Sequence, residues 1–422
     1  MIEALRNAAR IEDLRNKLLY TVAMLAIFRV GSYIPVPGVD AAALAERFRT
    51  GTANIFSFLD LFAGGAFTNF SVFALSVTPY ITSSIIVQLL TVVIPKLEEL
   101  AKEGVEGRKQ LAQYTRWGTV ALAVVQAIGV VSLARAYNVL YDTSLFSMAL
   151  IVVTLTAGTV LLMWIGEKIS ENGIGNGISL IIFAGIVARL PATAVNVVRA
   201  VGEGGINLLS VIFALLLAVA LIAAIIVVQE GQRRIPVQYA KRVVGRRMYG
   251  GQTTHIPMRV NQAGVIPIIF ASSVLLFPMT LAQFIPTAAS LTRWLDYGTP
   301  LYNMLYAILV VFFTYFYTAI TFNPRDVADN MKKYGGFIPG IRPGQPTAEY
   351  LDRVLTRITL AGALFLAFIA LGPFLLAGLT GIPRAFVSIG GTGLLIVVGV
   401  ALDTLKQIEA HLLMRQYEGF IR

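Results

Sequence analysis

The chain has no cysteine among its 422 residues, which excludes disulfides, thiolate metal sites and cysteine nucleophiles. Histidine is nearly as scarce: His255 and His411 are the only two and lie far apart in sequence, so zinc and haem ligation are not expected, and no cofactor is. Charge is sparse as well. Charged residues make up 14% against 56% hydrophobic, and the mean hydropathy of +0.73 describes a chain whose natural solvent is lipid rather than a soluble enzyme. No G-x-x-x-x-G-K-[ST] string occurs, so the chain does not hydrolyse ATP through a P-loop, and any ATP-driven work belongs to a partner. The glycine-rich string ENGIGNGISL at 171–180 lacks the G-x-G-x-x-G spacing and opens an apolar run instead of following a strand, so it is not a dinucleotide site. The N-terminal MIEALRNAARIEDLRNK mixes acids with bases and shows no A-x-A-like cleavage site, and the first apolar segment is expected to be retained.

What the sequence has is long apolar runs. A hydrocarbon core about 30 Å thick needs roughly 20 helical residues, and only helices or closed barrels satisfy the backbone inside it. Runs this continuous predict helices. Ten spans are expected, at 18–34, 70–94, 117–134, 145–165, 174–190, 206–228, 263–286, 301–322, 358–380 and 385–402. The expected fold is therefore an all-α integral membrane protein. It reads as one polytopic domain of residues 1–422, with five spans on each side of residue 205, an arrangement that fits half-repeats of 1–205 and 206–422.

Lys and Arg decide the orientation. The N-terminus and every second loop after it carry 26 of the 34 basic residues; the alternate loops carry 7, and Arg29 lies in the first span. Both termini are expected in the cytoplasm. The net charge of +11 lies where topology alone would put it, which removes the nucleic-acid reading of that charge. Two cytoplasmic loops, 229–262 and 323–357, exceed thirty residues and are rich in Gly, Pro and basic side chains. Loops of that length are docking surfaces or solvated anchors.

The spans lack the midplane carboxylates that a proton- or sodium-coupled transporter needs to hold its ion. Asp60 is the only candidate, and at the rim of a short segment it reads as solvated; Arg29 reads as snorkelling or pairing near the interface. The short segment itself, IFSFLDLFAGGA at 55–66, would make a helix of about 18 Å, too short to span. It reads as re-entrant beside a cavity, or alternatively as an amphipathic helix lying on the outer surface. Pro79 in span 70–94 and Pro267 and Pro278 in span 263–286 read as internal prolines that bend those helices.

Six strings carry a family resemblance: RVGSYIPVPGVD (29–40), SVTPYITSSIIVQLLTVVIP (76–95), ENGIGNGISLIIFAGIV (171–187), GQRRIPVQYAKRVVGRRMYGGQTTHIPMRVNQAGVIPIIFASS (231–273), PGIRPG (339–344) and GGTGLLIVV (390–398). Together, in order and over about residues 10–418, they resemble the SecY family, the channel subunits of bacterial protein-conducting translocons. The resemblance implies two pseudo-symmetric five-helix halves around a central hourglass pore. The pore's ring would be Val77, Ile81, Ile178, Ile182, Ile269 and Ile396. A re-entrant plug helix over 55–66, continuing through Asn69, would close it from outside, with Phe58, Leu59, Asp60, Leu61, Gly64 and Gly65 as plug residues. A ring without charges or hydrogen-bonding groups can close by dewetting. Where the family often has Gly-Ile-Met before Pro-Tyr-Ile, this chain has Ser76-Val77-Thr78, so one ring position is smaller than usual.

The resemblance also implies a lateral gate between spans 70–94 and 263–286, with Ser83, Gln88, Asn261, Ser272 and Phe277 along it; for Gln88, ordinary interhelical hydrogen bonding is the equal alternative. Arg246 and Arg247 would contact ribosomal RNA and Arg342 the motor ATPase SecA, with Arg233, Arg234, Lys241 and Arg242 as further partner-binding positions. SecE and SecG would be the small membrane subunits. Signal peptides, nascent polypeptides and membrane lipids would meet the channel itself, in a bacterial cell membrane. The implied activity is passive conduction of unfolded polypeptides across the membrane and release of transmembrane segments into it. A secondary transporter of a small solute is the alternative.

Overall fold

The computed structural model describes residues 11–40, 43, 60, 63–136, 138–204, 207–239, 242–244, 247–249, 253–282, 299–380 and 392–421. The first half of the chain contains α1 (Glu12–Gly31), α2 (Thr78–Val93), α3 (Pro95–Lys102), α4 (Val105–Ala136), α5 (Leu145–Asn172) and α6 (Gly177–Gly202). The second contains α7 (Leu208–Glu230), α8 (Ile266–Ala282), α9 (Pro300–Thr321), α10 (Pro324–Lys333), α11 (Gln345–Thr380) and α12 (Leu394–Ile421). A helix overlaps each of the ten predicted apolar segments. By length and composition six described helices can cross a membrane, α4, α5, α6, α7, α9 together with α10, and the 345–372 part of α11; the bent pair α2–α3 makes a seventh.

The helices begin where capping residues supply the first acceptors. Ser144 accepts from Ser147 N at 3.3 Å, Asn176 from Ser179 N at 3.1 Å and Thr299 from Tyr302 N at 3.2 Å, at the starts of α5, α6 and α9. Several helices run well beyond their predicted apolar windows. α4 starts with Glu106, Arg108 and Lys109 before its apolar stretch, because backbone hydrogen bonding continues past the point where hydropathy falls. Outward faces stay apolar: Leu209, Leu215, Leu216 and Val227 of α7 are 71%, 66%, 64% and 70% exposed, as a lipid-facing helix requires.

Span 70–94 differs from expectation. Its helix starts only at Thr78, and residues 63–77 form buried turns. Phe70 and Ser76 adopt left-handed φ of 42° and 53°, which breaks the helix. Their backbone groups are satisfied by neighbouring chain: Val36 N donates to Phe70 O at 3.0 Å and Val72 N to Ile34 O at 3.0 Å. Pro79 sits in the first turn of α2 and Pro267 in that of α8, so neither bends a helix as predicted. Pro278 is inside α8, and Pro191, which the sequence reading passed over, is inside α6. A bend of 102° between α2 and α3 falls at Ile94, held extended before Pro95.

The all-α expectation is corrected outside the apolar helices. Loop 229–262 contains β1 (Gln232–Tyr239), β2 (Arg242–Val244), β3 (Arg247–Tyr249) and β4 (Thr253–Arg259); β5 (Gly336–Phe337) comes from loop 323–357. β1 pairs antiparallel with β4, with Ile235 opposite Ile256, and with β5, with Gln238 opposite Phe337, giving the order β4-β1-β5. Ile235, Val237 and Met258 then pack with Met331, Ile338, Leu351, Val354 and Leu355 in a core of their own. The two predicted loops thus fold together as one small sheet-and-helix unit. Hydropathy missed it because its strands are short and alternate polar with apolar.

Within the first half α2 packs on α4, α4 on α5 and α5 on α6; within the second α8 packs on α9 and α9 on α11, while α7 lies against α11 and α12. Between the halves α2 meets α8 and α6 meets α12. The glycine-rich string joins these elements. Ile174 N donates to Thr21 Oγ1 at 3.1 Å, Gly175 N to Gln407 Oε1 at 2.9 Å and Gly177 N to Ser170 Oγ at 2.9 Å, so α1, α12 and α5 all hold the turn that starts α6. A Cβ on Gly177 would lie 1.9 Å from Gly166 O, and only glycine permits that crossing.

Candidate pore and re-entrant segment

Five of the six aliphatics assigned to the ring are buried: Val77 is 1% exposed, Ile81 8%, Ile182 1%, Ile269 6% and Ile396 0%. Ile178 is partly buried against the same apolar cluster, which draws on α2, α6, α8 and α12. The cluster also includes many other side chains, among them Phe70, Leu155 and Val310, so membership places these residues in the interior of the helix assembly. Beside it lies a cavity of about 390 Å³ lined by polar groups that include Gln229, Arg259, Asn261 and Lys406. Val265 and Val400 belong to both cavity and cluster, so a hollow with polar side chains in its wall abuts the buried apolar zone.

Of the plug residues, Phe58, Leu59 and Leu61 lie outside the described residues. Gly64 and Gly65 take φ of +64° and +92°. A Cβ on Gly64 would sit 2.6 Å from Gly185 Cα, which places the segment's backbone directly on α6. Asp60 is not solvated as the sequence reading held; it is 1% exposed, the only buried acid or base of the Asp, Glu, Lys, Arg and His types among the described residues. Its carboxylate accepts from Phe67 N at 3.0 Å, Thr68 N at 3.1 Å and Thr68 Oγ1, and it forms an ion pair with Arg189 Nη1 at 3.1 Å. Burial of that charge is tolerated because its acceptor positions are filled. Arg29 also binds the segment: Nη1 donates to Gly64 O at 2.7 Å, and Nη2 to Tyr33 Oη at 2.6 Å. Sequence reasoning counted Arg189 with an outer loop and missed its role. The available signal was spacing: Ile178, Ile182, Gly185 and Arg189 recur every three or four residues on one face of α6.

The lateral gate was expected between α2 and α8, which do pack on each other, yet the hydrogen bonds of its candidates do not join the two helices. Ser83 Oγ donates to Thr115 O of α4 at 2.8 Å, Gln88 Nε2 to Ser84 Oγ at 3.4 Å, Ser272 Oγ to Ile269 O at 2.8 Å and Asn261 Nδ2 to Gly264 O at 3.0 Å. None of these four bonds crosses from α2 to α8; Phe277 is on α8. Of the partner-binding candidates, Arg233 and Arg234 are exposed on β1, and Arg342 is exposed before α11, its carbonyl accepting from Thr347 Oγ1 at 2.8 Å. Arg242 and Arg247 lie on β2 and β3, which pair into a hairpin, while Lys241 and Arg246 lie outside the described residues.

Long apolar helices packed around a buried apolar interior, with buried turns at 63–77 and a hollow beside that interior, have the architecture of a multi-pass membrane protein. The model of the SecY family matches residues 71–405. A protein translocase subunit SecY from Thermotoga maritima is 49% identical over 436 residues, covering 100% of this chain and 98% of that protein. A solved structure described as showing that the plug domain of the SecY protein stabilizes the closed state of the translocation channel and maintains a membrane seal superposes with a TM-score of 0.66 at 18% identity, over 94% of this chain and 92% of that one. Sec61 in the canine ribosome-channel complex from the endoplasmic reticulum superposes with a TM-score of 0.62 at 17% identity, over the same shares. The structural likenesses establish the fold, and the family match with the full-length relative establishes the kinship: the chain belongs to the SecY family.

Proposed function

We propose that this chain is the protein-conducting channel of a bacterial cell membrane, with ten spanning helices and both termini in the cytoplasm. The observation that carries the reading is the full-length kinship with a translocase subunit, and the dry aliphatic interior of α2, α6, α8 and α12 is what such a channel needs. Aliphatic side chains offer an ion no replacement for its hydration shell, yet they part around a polypeptide without leaving polar groups unpaired. Val77, Ile81, Ile178, Ile182, Ile269 and Ile396 form the constriction, and the segment containing Asp60, Gly64 and Gly65 closes it. Transmembrane segments leave between α2 and α8. The chain itself is not an enzyme: SecA or the ribosome supplies the driving force, docking on the exposed arginines of the β1–β4 unit and on Arg342, and SecE and SecG complete the complex. A secondary transporter fits less well, because Asp60, the one buried carboxylate among the described residues, has its acceptor positions filled by protein donors.

The test is a crosslinking map. With a secretory polypeptide arrested in reconstituted vesicles, a photoreactive residue at Ile182, Ile269 or Ile396 is expected to crosslink to the polypeptide, and one at Leu216, 64% exposed on α7, is not. Crosslinks confined to Leu216, or none at any position, would overturn the channel reading.

A further inference from the structure

The polar contacts of residues 60 and 63–68 include two sets. One is internal: Asp60 accepts from Phe67 N, Thr68 N and Thr68 Oγ1, closing a compact turn whether or not that turn touches anything else. The other reaches outward to two guanidinium groups on two helices, Arg189 of α6 on the Asp60 carboxylate and Arg29 of α1 on the Gly64 carbonyl. Between these contacts Gly64 lies against Gly185, one helical turn before Arg189, at a separation that leaves no room for a side chain. The turn is therefore fastened to its wall by two charged groups and one close backbone contact. The Arg189 contact is the stronger fastening. It joins two full charges, with the carboxylate 2% exposed and the guanidinium 31% exposed, whereas Arg29 binds a neutral carbonyl.

We infer that Arg189 is a positioning residue that latches the re-entrant segment against α6 and thereby sets the equilibrium between the closed and open channel, an inference that rests on the channel reading above. Opening must separate Asp60 from Arg189, and the free energy of that separation adds to what a substrate polypeptide has to provide before it is admitted. Removing Arg189 leaves the internal turn intact, because none of the bonds that close it involves Arg189. Removing Asp60 destroys latch and turn together. Arg189 is thus the informative position.

The absence of native cysteine supplies the readout. Ala63, 1% exposed in the closed arrangement, is replaced by cysteine, and its labelling by a water-soluble thiol reagent reports release of the segment. In the full chain with its partner subunits in vesicles, Arg189→Gln is expected to raise the labelling rate about tenfold, since truncating one partner of a buried charge pair is costly to the paired state. Arg189→Lys, which keeps the charge, is expected to restore protection. Ion conductance in the same preparations, with Ile396→Asn as an independent opener, separates this inference from the channel reading. Unchanged labelling in Arg189→Gln overturns the latch whatever the conductance does, and so does raised labelling that Arg189→Lys fails to reverse. Raised labelling reversed by lysine supports the latch; if neither Arg189→Gln nor Ile396→Asn then conducts, the channel reading falls and takes the gating role of Arg189 with it, leaving only the fastening of the segment to α6.

Discussion

Ile396→Asn places an amide in the middle of the buried aliphatic zone, where Ile396 is 0% exposed. Two costs follow. Lost aliphatic packing is worth about 2–5 kcal/mol by analogy with Ile→Ala, and it weakens the fold in every conformation in which this zone is packed. The unpaired amide adds about 1–3 kcal/mol, and this part depends on state: in the closed channel the amide has only hydrocarbon around it, whereas in the open one water satisfies it. Only that second part shifts the gating equilibrium, by roughly 5- to 150-fold toward open. The expected result is a resting ion conductance raised by that order, together with export of polypeptides whose signal sequences are poor, because the signal no longer supplies the whole opening free energy. The assay is planar-bilayer conductance of the purified complex against Leu216→Asn, whose amide lies on the exposed face of α7. Equal low conductance in the two variants would show that Ile396 does not line a pore, and the assignment of the other five aliphatics would fall with it.

Other outcomes follow from other parts of the molecule. Tyr334, 78% exposed at the end of α10, should when replaced by cysteine react with an impermeant reagent in inverted vesicles and not in intact cells; labelling of intact cells would reverse the topology. Arg342→Glu is expected to lower SecA-driven export roughly ten- to hundredfold, the worth of one charge-assisted contact, while sparing ribosome binding; Arg246→Glu with Arg247→Glu should show the opposite pattern, and equal losses in both assays would refute the division of labour. Leu351→Ala, at a position 0% exposed in the core shared by the two long loops, should cost about 2–5 kcal/mol locally. Because β1, β4, α10, α11 and Ile338 after β5 meet in that core, limited proteolysis should then quicken in both loops together; cleavage confined to 323–357 would mean that the loops do not fold as a unit.

Which parts of this were legible in advance follows from range of interaction. Apolar runs of the right length announce helices because a lipid-facing segment must satisfy its own backbone, a rule that acts residue by residue along the chain. A helix duly overlaps each of the ten predicted segments, and the bias of basic residues between alternate loops is likewise a property of the chain read in order. The interruption at 70–77 was hidden, because it depends on left-handed Phe70 and Ser76 and on bonds to residues 34–36 that no local window contains.

Sequence alone determined the solvent of this protein, the missing catalytic chemistries and, through six strings in order, its kinship. Tertiary structure decided what its few interior charges do. Asp60 reads as a solvated acid and Arg189 as a loop cation when each is judged by its neighbours in the chain, yet 129 positions apart they meet at 3.1 Å. A buried charge is tolerable only beside its counter-charge, and that counter-charge is supplied by a different helix. The two long loops show the same thing: each looks like a solvated linker by itself, and β5 from one completes the sheet of the other only because α8 packs on α9 and α7 on α11, which brings the loops to the same place.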